Sequence, residues 1–456
     1  MSLFKKNMNS IKNGQLKKQL LKSANDKIEI SIQESKINGL PTLILNGQYL
    51  YSQYNPMRDA ETFIKSQLDP NVNVYCLFGF GLGYHVKVLL ENEPNKRVFV
   101  IEPYLTCFKA ALETLDLTDI LSHPNVNIYF LEDISKLNNL LNELLEYKVK
   151  WLIPNPFVKA LPNNNPLKQI LEEIKIKEMS FHRFSSLMEK NFWNNLNYMD
   201  ITVDKLFDLF KGKKAVLVSS GPSLDKTVDA LKELRKKYFI LAVGSAYKVL
   251  KTKGIEPHAV VISDPQNEVY RQLEGLDLSK PLIYLSTACY QAVRHHKGLK
   301  IAAFQKGYPK AEMYAKQNGC QLVDTGGSVA TTAFDILIKM GFSEIVLLGQ
   351  DLAYSKNRSH ALHSTSGVEV VSNENLLSVL ANDGTMVKTT TILSIYRRWF
   401  ERKVAETKHV IFKNTAEKGA VIQGVPFAHI SEIISESEHL TECNFSEKIN
   451  QIINQY

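Results

Sequence analysis

Short apolar segments alternate with turn residues along this chain, and the clearest apolar segment ends at residue 218. Ala215–Val218 is apolar throughout, which is typical of a buried parallel strand. Small residues follow at Ser219–Ser223, and helical spacing then begins, at Leu224, Val228, Leu231 and Leu234. A strand that ends in small residues and opens a helix presents free backbone N–H groups to an anion. The pattern predicts either a phosphate site at Ser219–Ser223 or an ordinary strand-to-helix turn with a serine cap.

The same alternation of strand and helix continues through the second half of the chain. The predicted strands after Ala215–Val218 are Phe239–Val243, His258–Ile262, Leu282–Ser286, Ile301–Phe304 and Glu344–Leu348, with Val410–Phe412 as an added strand. Strands that alternate with helices indicate a parallel sheet, and ligands bind at the carboxyl ends of such strands. The candidate site residues at these ends are Ser220, Gly221, Pro222, Ser223, Ser245, Asp264, Gly327, Ser328 and Asp351.

The N-terminal part carries its own strand and helix pattern. Residues 1–25 predict a basic amphipathic helix, and the alternation at Ile28, Ile30 and Ile32 predicts a strand that pairs with Thr42–Leu45. Farther on, a buried strand at Val72–Phe78 precedes a G-x-G-x-G turn at Gly79–Gly83, a helix, and a strand at Arg97–Ile101 that ends in Glu102. This order is typical of a half-sheet that binds a nucleotide or S-adenosylmethionine, with the acid on a ribose. Glycines that merely pack a helix on a strand give the same pattern.

The pattern of prolines and helical stripes predicts the division into domains. A linker is predicted by Asn163–Asn165 and by Pro154, Pro156, Pro162 and Pro166, and a long helix follows over Leu167–Leu196. We expect an α/β protein with two Rossmann-like parallel-sheet domains joined by a helical linker. The expected divisions are 1–155 (first domain), 156–205 (linker and long helices), 206–425 (central domain) and 426–456 (C-terminal helices).

A weakly patterned polar segment follows Asp351 and extends to Asn382. Its chemically active side chains are Tyr354, Lys356, Arg358, His360 and His363. Polar segments beyond a strand end are often lids over a site. The two histidines are therefore either site residues under a lid or plain surface residues.

Composition and charge narrow the class of protein. The net charge of +8 favours an anionic ligand, but the basic residues are scattered and do not indicate nucleic-acid binding. The sequence has no run of eighteen apolar residues and no apolar signal-peptide core, so we expect a cytoplasmic protein without membrane insertion. The five cysteines contain no C-x-x-C pair, which argues against a zinc site or a disulfide framework.

Common catalytic motifs are missing, and their absence leaves one kind of chemistry. The sequence has no G-x-x-x-x-G-K-[ST] loop, no H-E-x-x-H and no G-x-S-x-G. A hydroxyl-rich site with two aspartates and a lid that carries histidines suits transfer of a nucleotide-activated group to an acceptor. Because a nucleoside monophosphate is a good leaving group, such a reaction needs one base and no strong general acid.

Several segments resemble the motility-associated factors of flagellated bacteria. They are SSGPSLD (219–225), GIEPHAVVISDPQ (254–266), DTGGSVATTAF (324–334), GFSEIVLLGQDLAY (341–354), the SHA of 359–361, GFGLGYH (79–85) and VIEPY (100–104). Members of that family transfer pseudaminic or legionaminic acid from a CMP-activated donor onto serine or threonine of flagellin. The central domain is also similar to the bacterial CMP-sialic-acid sialyltransferases, which implies a sialyltransferase-like fold there.

The resemblance implies roles for individual residues. Ser220, Gly221, Pro222 and Ser223 would face CMP, with Ser245 on the nucleotide. Gly327 and Ser328 would cradle the cytidine side. Asp264 matches no sialyltransferase residue, but its place at a strand end would let it bind the ribose or position the sugar. Tyr354 would donate to the leaving phosphate. The resemblance implies no metal and no cofactor besides the donor CMP-nonulosonic acid, and flagellin as the partner; a homo-oligomer is left open.

One departure concerns the catalytic base. The sialyltransferases carry their catalytic histidine just before the helix that follows the lid, where this chain has Val387–Thr390 without a histidine. We therefore predict His360 as the base, with Asp351 orienting or replacing it and Asp264 as a further catalytic residue. A neutral imidazole accepts a hydroxyl proton at cytoplasmic pH.

Three other functions stay open. The chain also resembles archaeal enzymes that diphosphorylate 6-hydroxymethylpterin, a reaction that needs ATP and Mg²⁺, for which Asp264 and Asp351 would be the ligands. A non-catalytic flagellin-binding chaperone would not bind CMP. The third of these alternatives is a methyltransferase role for the domain that contains Gly79–Gly83.

Overall fold

A computed structural model describes residues 2–21, 28–37, 39–130, 147–162, 165–273, 279–355, 358–362, 364 and 376–453. The chain divides into two compact units, Met1–Met179 and Ser180–Tyr456. Each unit is built on a parallel sheet with helices between its strands. The α/β class with two parallel-sheet domains that the sequence predicts is therefore confirmed.

The first unit contains two small sheets. Strands β1 (Ile30–Glu34), β2 (Pro41–Leu45) and β3 (Gln48–Tyr49) form an antiparallel sheet, as the alternation of isoleucines predicts. A four-stranded parallel sheet follows, in the order β6–β5–β4–β7, with β4 (Val74–Phe78), β5 (Arg97–Glu102), β6 (Val126–Phe130) and β7 (Val149–Leu152). Every residue of β4 is buried, because the strand lies inside the sheet and its one hydroxyl, on Tyr75, forms hydrogen bonds with the backbone of Asp69.

The described helices of the first unit begin at the N-terminus and end near residue 160. They are Leu3–Ser10, Gly14–Leu20, Pro56–Lys65, Tyr84–Asn92, Leu105–Thr114, Thr118–Ser122 and Asn155–Ala160. The last of these corrects a prediction, since the proline-rich linker contains a short helix. Its Pro156 lies in the first turn, where a missing N–H costs nothing, so proline starts the helix there instead of breaking it.

The second unit is organised around an eight-stranded parallel sheet. Its order is β17–β14–β9–β10–β11–β12–β13–β8. The strands are β8 (Ile201–Thr202), β9 (Lys214–Val218), β10 (Tyr238–Val243), β11 (Ala259–Ile262), β12 (Leu282–Leu285), β13 (Lys300–Ala303), β14 (Glu344–Leu348) and β17 (Ile411–Asn414). All the strands predicted from apolar runs are confirmed. The edge strand β8 was not predicted, because two residues are too short to show a period.

Helices connect these strands, and a two-stranded hairpin interrupts the pattern. The hairpin pairs β15 (Leu377–Leu380), in the weakly patterned segment that ends at Asn382, with β16 (Met386–Thr389) just after it, and neither strand is predicted from the sequence. The helices are Pro166–Leu196, which begins in the first unit, then Gly244–Thr252, Glu268–Leu273, Tyr290–His295, Pro309–Asn318, Val329–Lys339, Thr391–Glu406, Ile430–Glu438 and Phe445–Ile453. Within the described ranges, no helix combines the length and apolar character that a bilayer crossing requires.

The single helix predicted after Ser223 is wrong. An α-helical turn at Leu224–Thr227, a 3₁₀ turn at Val228–Ala230 and a second α-helical turn at Leu231–Leu234 take its place. Thr227, Val228 and Asp229 are poor helix formers, and the Thr227 hydroxyl donates to the backbone carbonyl of Ser223. A four-residue turn has little macrodipole, so the helix-based argument for a phosphate site does not apply here.

Candidate functional site

The Ser219–Ser223 turn lies between the ends of β9 and β14. The Ser219 hydroxyl donates to the Gln350 side-chain oxygen at 2.6 Å, and the Gly221 amide donates to the Gly349 carbonyl at 2.8 Å. A side chain at Gly221 would place its Cβ 2.2 Å from an Asp351 carboxylate oxygen. Glycine is therefore required here by the close approach of Gly349 and Asp351, in the segment after β14.

Ser223 is held by the carboxylate of Asp351. Its hydroxyl donates to Asp351 Oδ2 at 2.7 Å, and its backbone N–H lies 3.1 and 3.2 Å from the two carboxylate oxygens. This N–H is one of the donors that the sequence assigns to a phosphate. In the structure, the Ser223 N–H instead donates to the carboxylate of Asp351, which is an anion of the chain itself.

Asp351 has a perturbed acidity. Burial raises the pKa of its carboxyl group from 3.8 to about 6, while the hydrogen bonds from Ser223 act in the opposite direction. The nearby carboxylate of Asp225 also raises this pKa. A buried carboxylate with a pKa near neutrality is a candidate proton acceptor.

Ser220 and Ser245 form a second polar pair, at the ends of β9 and β10. Their hydroxyl oxygens lie 2.8 Å apart. The Ser364 hydroxyl donates to the backbone carbonyl of Ser245 at 3.3 Å. The two predicted serines are thus brought together, in contact with the segment that follows β14.

The described part of the predicted lid docks on the Ser219–Ser223 turn. The Ala361 amide donates to the Ser220 carbonyl at 2.8 Å, and the Leu362 amide donates to the Asp225 carboxylate at 2.9 Å. Arg358 forms an ion pair with Asp225 at 3.4 Å. Asp225 therefore anchors the lid, a role that sequence reasoning missed although the residue stands in the SSGPSLD segment.

Of the predicted lid histidines, His360 lies in this docked segment. Its Nδ1 atom is 2.7 Å from the Ser359 hydroxyl, and the side chain is half-buried. His363 and Lys356 lie outside the described residues. Tyr354 is half-buried, and its amide donates to the Lys388 carbonyl, which joins the lid to β16.

Asp264 lies at the end of β11 in a separate, well-held turn. Its carboxylate accepts hydrogen bonds from the Gln266 amide at 2.8 Å and from the Gln266 side chain at 3.3 Å. The next carbonyl, of Pro265, accepts from the side chain of Asn191 at 2.9 Å. Asn191 is fully buried and also donates to the Thr287 carbonyl, so it links the loops after β11 and β12.

Gly327 and Ser328 start the helix Val329–Lys339, as the sequence predicts. Ser328 and Thr331 form a capping box, so the Ser328 hydroxyl accepts a hydrogen bond from the helix backbone. Gly327 has a φ of 93°. A Cβ built there would be 3.3 Å from the Tyr396 ring.

Tyr396 lies beside the Gly327 turn, and the charge of Asp264 acts on its hydroxyl. Burial raises the pKa of its hydroxyl, and the Asp264 carboxylate raises it further. In the sequence, Tyr396 has helical spacing with Ile392 and Trp399, which indicates only the apolar stripe of a helix. No signal in the sequence pairs it with a strand end 132 positions earlier, because only the fold brings the tyrosine into the electrostatic field of that aspartate.

The strand order separates the two candidate aspartates. Asp351 follows β14 and Asp264 follows β11, with β9 and β10 between them. Three spacings along the sheet amount to about 14 Å. Since Mg²⁺ binds oxygen ligands at about 2.1 Å, one ion would not take both carboxylates directly. The predicted pairing of Asp264 and Asp351 as magnesium ligands is therefore not supported.

A cleft of about 180 Å³ opens beside the Ser223–Asp351 pair. We call it the Asp351 cleft. Its buried lining residues include Thr227, Asp351 and Thr415, while Lys226, Glu417, Lys418 and His429 are exposed. Phe427 contributes an aromatic ring, at 4.8 Å from the ring of His429. Polar groups of both charge signs thus surround one face of the candidate base.

In the first unit, the G-x-G-x-G turn is closed by the protein's own side chains. The Glu102 carboxylate accepts hydrogen bonds from the amides of Phe80 at 2.8 Å and Tyr104 at 3.0 Å. A Cβ at Gly79 would lie 1.9 Å from the Phe157 ring. The acid that a ribose would use is thus bound to the turn, and an aromatic ring covers the glycine where a cofactor would approach.

His85, in the first turn of the next helix, is also part of this aromatic packing. Its ring stacks on Tyr51 at 5.0 Å, and burial lowers the pKa of the imidazole to about 3. A neutral, buried histidine stabilises the unit by packing, and its position gives no support to a methyltransferase site.

Comparison with known families adds independent information. Residues 2–175 match the protein family described as "Glycosyltransferase Maf N-terminal domain". Residues 190–357 match the family described as "6-hydroxymethylpterin diphosphokinase MptE-like". An uncharacterized protein of Treponema pallidum (strain Nichols) is 24% identical over 219 residues, covering 44% of this chain and 72% of its own. A second protein of that organism, also described as uncharacterized, is 32% identical over 83 residues, covering 18% of this chain and 40% of its own.

Among solved structures, a Maf glycosyltransferase from Magnetospirillum magneticum AMB-1 aligns with a TM-score of 0.49 and 16% identity, over 99% of this chain and 77% of that chain. The family match over residues 2–175 is the more informative result, because it covers nearly the whole first unit. Residues 2–175 of the chain therefore match the N-terminal domain of the Maf glycosyltransferases, and residues 190–357 match the MptE-like family.

Proposed function

We propose that this protein transfers a nonulosonic acid, pseudaminic or legionaminic acid, from its CMP-activated form to serine or threonine residues of flagellin. The main support is the group of side chains at the ends of β14, β9 and β10. There Asp351, Ser223, Ser220 and Ser245 lie in hydrogen-bonded pairs beneath a docked lid segment. The family match supplies the reaction type, glycosyl transfer.

The donor is proposed to lie against the serine-rich strand ends. Ser220 and Ser245 offer hydroxyls to the phosphate and ribose, and Gly221 and Pro222 keep the turn free of bulky side chains. Toward β11, the Gly327–Ser328 turn, Tyr396 and Asp264 would contact the nucleoside or the sugar. Tyr354 would reach the phosphate from the lid. Because the Ser223 amide already donates to Asp351, the phosphate would be bound by the other donors, such as the hydroxyls of Ser220 and Ser245.

The chemistry needs one proton acceptor for the attacking hydroxyl. The geometry favours Asp351 for this role, since its carboxylate is buried, lines the Asp351 cleft and has a pKa of about 6. At pH 7 most of this group is ionised and accepts a proton. His360 is the alternative base, in the lid segment over the same turn.

Pyrophosphoryl transfer is a second candidate, favoured by the MptE-like match over residues 190–357. The described residues contain no group of three or more His, Cys, Asp or Glu side chains arranged to hold a metal. Magnesium dependence separates the two activities, because glycosyl transfer from a CMP donor is expected to continue in EDTA. A non-catalytic flagellin-binding chaperone would bind flagellin without CMP.

The proposal is tested by co-expressing flagellin with this protein in cells that make the CMP-activated sugar. We expect the intact mass of flagellin to rise by multiples of one nonulosonate, and no rise with the Asp351→Asn variant. Titration calorimetry with CMP is the companion measurement. No mass shift and no CMP binding would contradict the proposed function, and a cytoplasmic location would be checked by fractionating the same cells.

A further inference from the structure

We propose that the Asp351 cleft admits the acceptor, as a serine or threonine side chain within an acidic polypeptide segment. This inference rests on the proposed function and adds to it the place and the chemistry of the second substrate. The cleft is lined by residues of the β9 turn, Asp351, the segment after β17 and the start of the helix Ile430–Glu438.

Position is the first argument. Group transfer requires donor and acceptor to meet at the group that takes the proton. One side of the Ser219–Ser223 turn carries Ser220, Ser245 and the docked lid residue Ala361. Ser223, in the same turn, and its partner Asp351 line the Asp351 cleft. The carboxylate therefore lies where a hydroxyl that enters through the cleft would reach it.

Size is the second argument. The cleft holds about 180 Å³. Pockets that enclose a whole small-molecule ligand usually hold about 300–1,000 Å³. A nucleotide-activated nine-carbon sugar does not fit the smaller volume, whereas one hydroxyl-bearing side chain does.

The chemistry of the buried lining is the third argument. The Thr227 hydroxyl donates to the Ser223 carbonyl, and the Thr415 hydroxyl donates to the Leu347 carbonyl at 3.1 Å. These protons are therefore engaged, and Asp351 presents acceptor oxygens. A neutral hydroxyl donates to such a group, while a carboxylate or phosphate would be repelled by it.

The exposed side chains of the cleft lining determine which residues are favoured next to the acceptor serine or threonine. Lys226 and Lys418 are exposed at the cleft, against the single acid Glu417, whose carboxylate is 4.0 Å from the Lys226 ammonium. His429 is exposed as well. Because Asp351 is buried, two lysines face one acid at the exposed rim of the cleft, and this favours an acceptor segment with acidic residues beside its serine or threonine.

In the transfer step, the acceptor oxygen forms a bond to the anomeric carbon of the nonulosonate while its proton moves to the Asp351 carboxylate. The bond from the anomeric carbon to the phosphate oxygen breaks, and its electron pair leaves with CMP. Release of the proton from Asp351 to water restores the site. No metal, oxidant or reductant is needed for this balance.

The test reverses the charge of the two lysines, in the double variant Lys226→Glu/Lys418→Glu. The matched control is Lys232→Glu, another exposed lysine of the same segment that does not line the cleft. The acceptors are a synthetic serine peptide flanked by aspartates and the same peptide with asparagines. Transfer from a CMP-nonulosonate is followed by mass spectrometry, and CMP binding by calorimetry.

We expect the double variant to raise the KM for the aspartate peptide about tenfold, to change the KM for the asparagine peptide less than twofold, and to leave the Kd for CMP unchanged. An unchanged KM for the aspartate peptide, with active wild-type protein, would overturn the inference alone. A tenfold weaker Kd for CMP would place the donor in the cleft and also overturn it. If wild-type protein transfers to no acceptor, the proposed function itself fails.

Discussion

Ser223 binds Asp351 through both its hydroxyl and its backbone amide, across 128 positions of sequence. Two polar groups of the β9 turn are thereby committed to one carboxylate at the end of β14. The pair fixes the position of the candidate base and removes a donor from the predicted phosphate site. Several consequences for activity depend on this contact.

Replacing Asp351 with asparagine is expected to lower the rate of transfer by about 100-fold or more, which is the usual contribution of a general base. The amide keeps the shape of the carboxylate and still accepts from Ser223, so the Kd for CMP is expected to stay within twofold. Single-turnover transfer and CMP calorimetry measure the two effects. A variant with wild-type rate would exclude Asp351 as the proton acceptor.

The rate of transfer is expected to rise with pH through a single ionisation near pH 6. The reason is that burial raises the pKa of Asp351 to about 6, and only the ionised carboxylate accepts a proton. A profile of kcat/KM between pH 5 and 8 measures this limb. In the Asp351→Asn variant the limb should be absent, and its persistence would assign it to another group.

Stability is expected to respond to pH in the opposite direction. A carboxyl group whose pKa is higher in the folded chain than its ordinary 3.8 favours folding while it is protonated. That contribution is complete well below the ordinary pKa of 3.8 and is lost as pH rises through the folded pKa of about 6. The free energy of unfolding of wild type relative to Asp351→Asn should therefore fall by about 3 kcal/mol between about pH 3 and pH 7, as measured by urea denaturation. A constant difference would show that the carboxylate is not desolvated.

His360→Ala provides the comparison between the two candidate bases. Because the geometry favours Asp351, we expect this variant to lose less than about tenfold in kcat/KM and to keep the limb near pH 6. Loss of both transfer and limb, with CMP binding intact, would instead support the histidine that the sequence predicts.

Asn191→Ala is expected to destabilise the second unit by about 2–3 kcal/mol. Its buried side chain donates to the carbonyls of Pro265 and Thr287, and both would lose a partner. Asn194→Ala is the matched control, since the Asn194 amide donates to a carbonyl on the exposed face of the same helix. We expect less than about 0.5 kcal/mol for that change in urea denaturation. Equal effects would show that the link between the β11 and β12 loops is unimportant.

The sequence predicted the strands of both parallel sheets well, because buried strands such as Glu344–Leu348 are continuous apolar runs. It also placed the candidate residues at the carboxyl ends of neighbouring strands. It did not predict the interruption after Thr227, which depends on a side-chain hydrogen bond to Ser223. Helical spacing of apolar residues is the same whether or not the helix is continuous.

The partners of each site residue were less accessible to sequence reasoning. The contact of Ser223 with Asp351, the anchoring of the lid by Asp225 and the approach of Tyr396 to Asp264 all join distant positions. A single sequence carries no signal for such pairs. The Glu102 turn shows the same limit, since a motif for ribose binding and a carboxylate bound to its own turn have identical spacing.

The position of β17 has a consequence for synthesis on the ribosome. Strand β14, fully buried and apolar apart from Glu344, pairs with β9 on one side and with β17 on the other. Until residues 411–414 emerge from the exit tunnel, one edge of β14 has no partner in this sheet. Nascent chains that stop before this point would expose the unpaired backbone edge of β14, which can pair with other chains. Premature termination near residue 406 should therefore yield inclusion bodies.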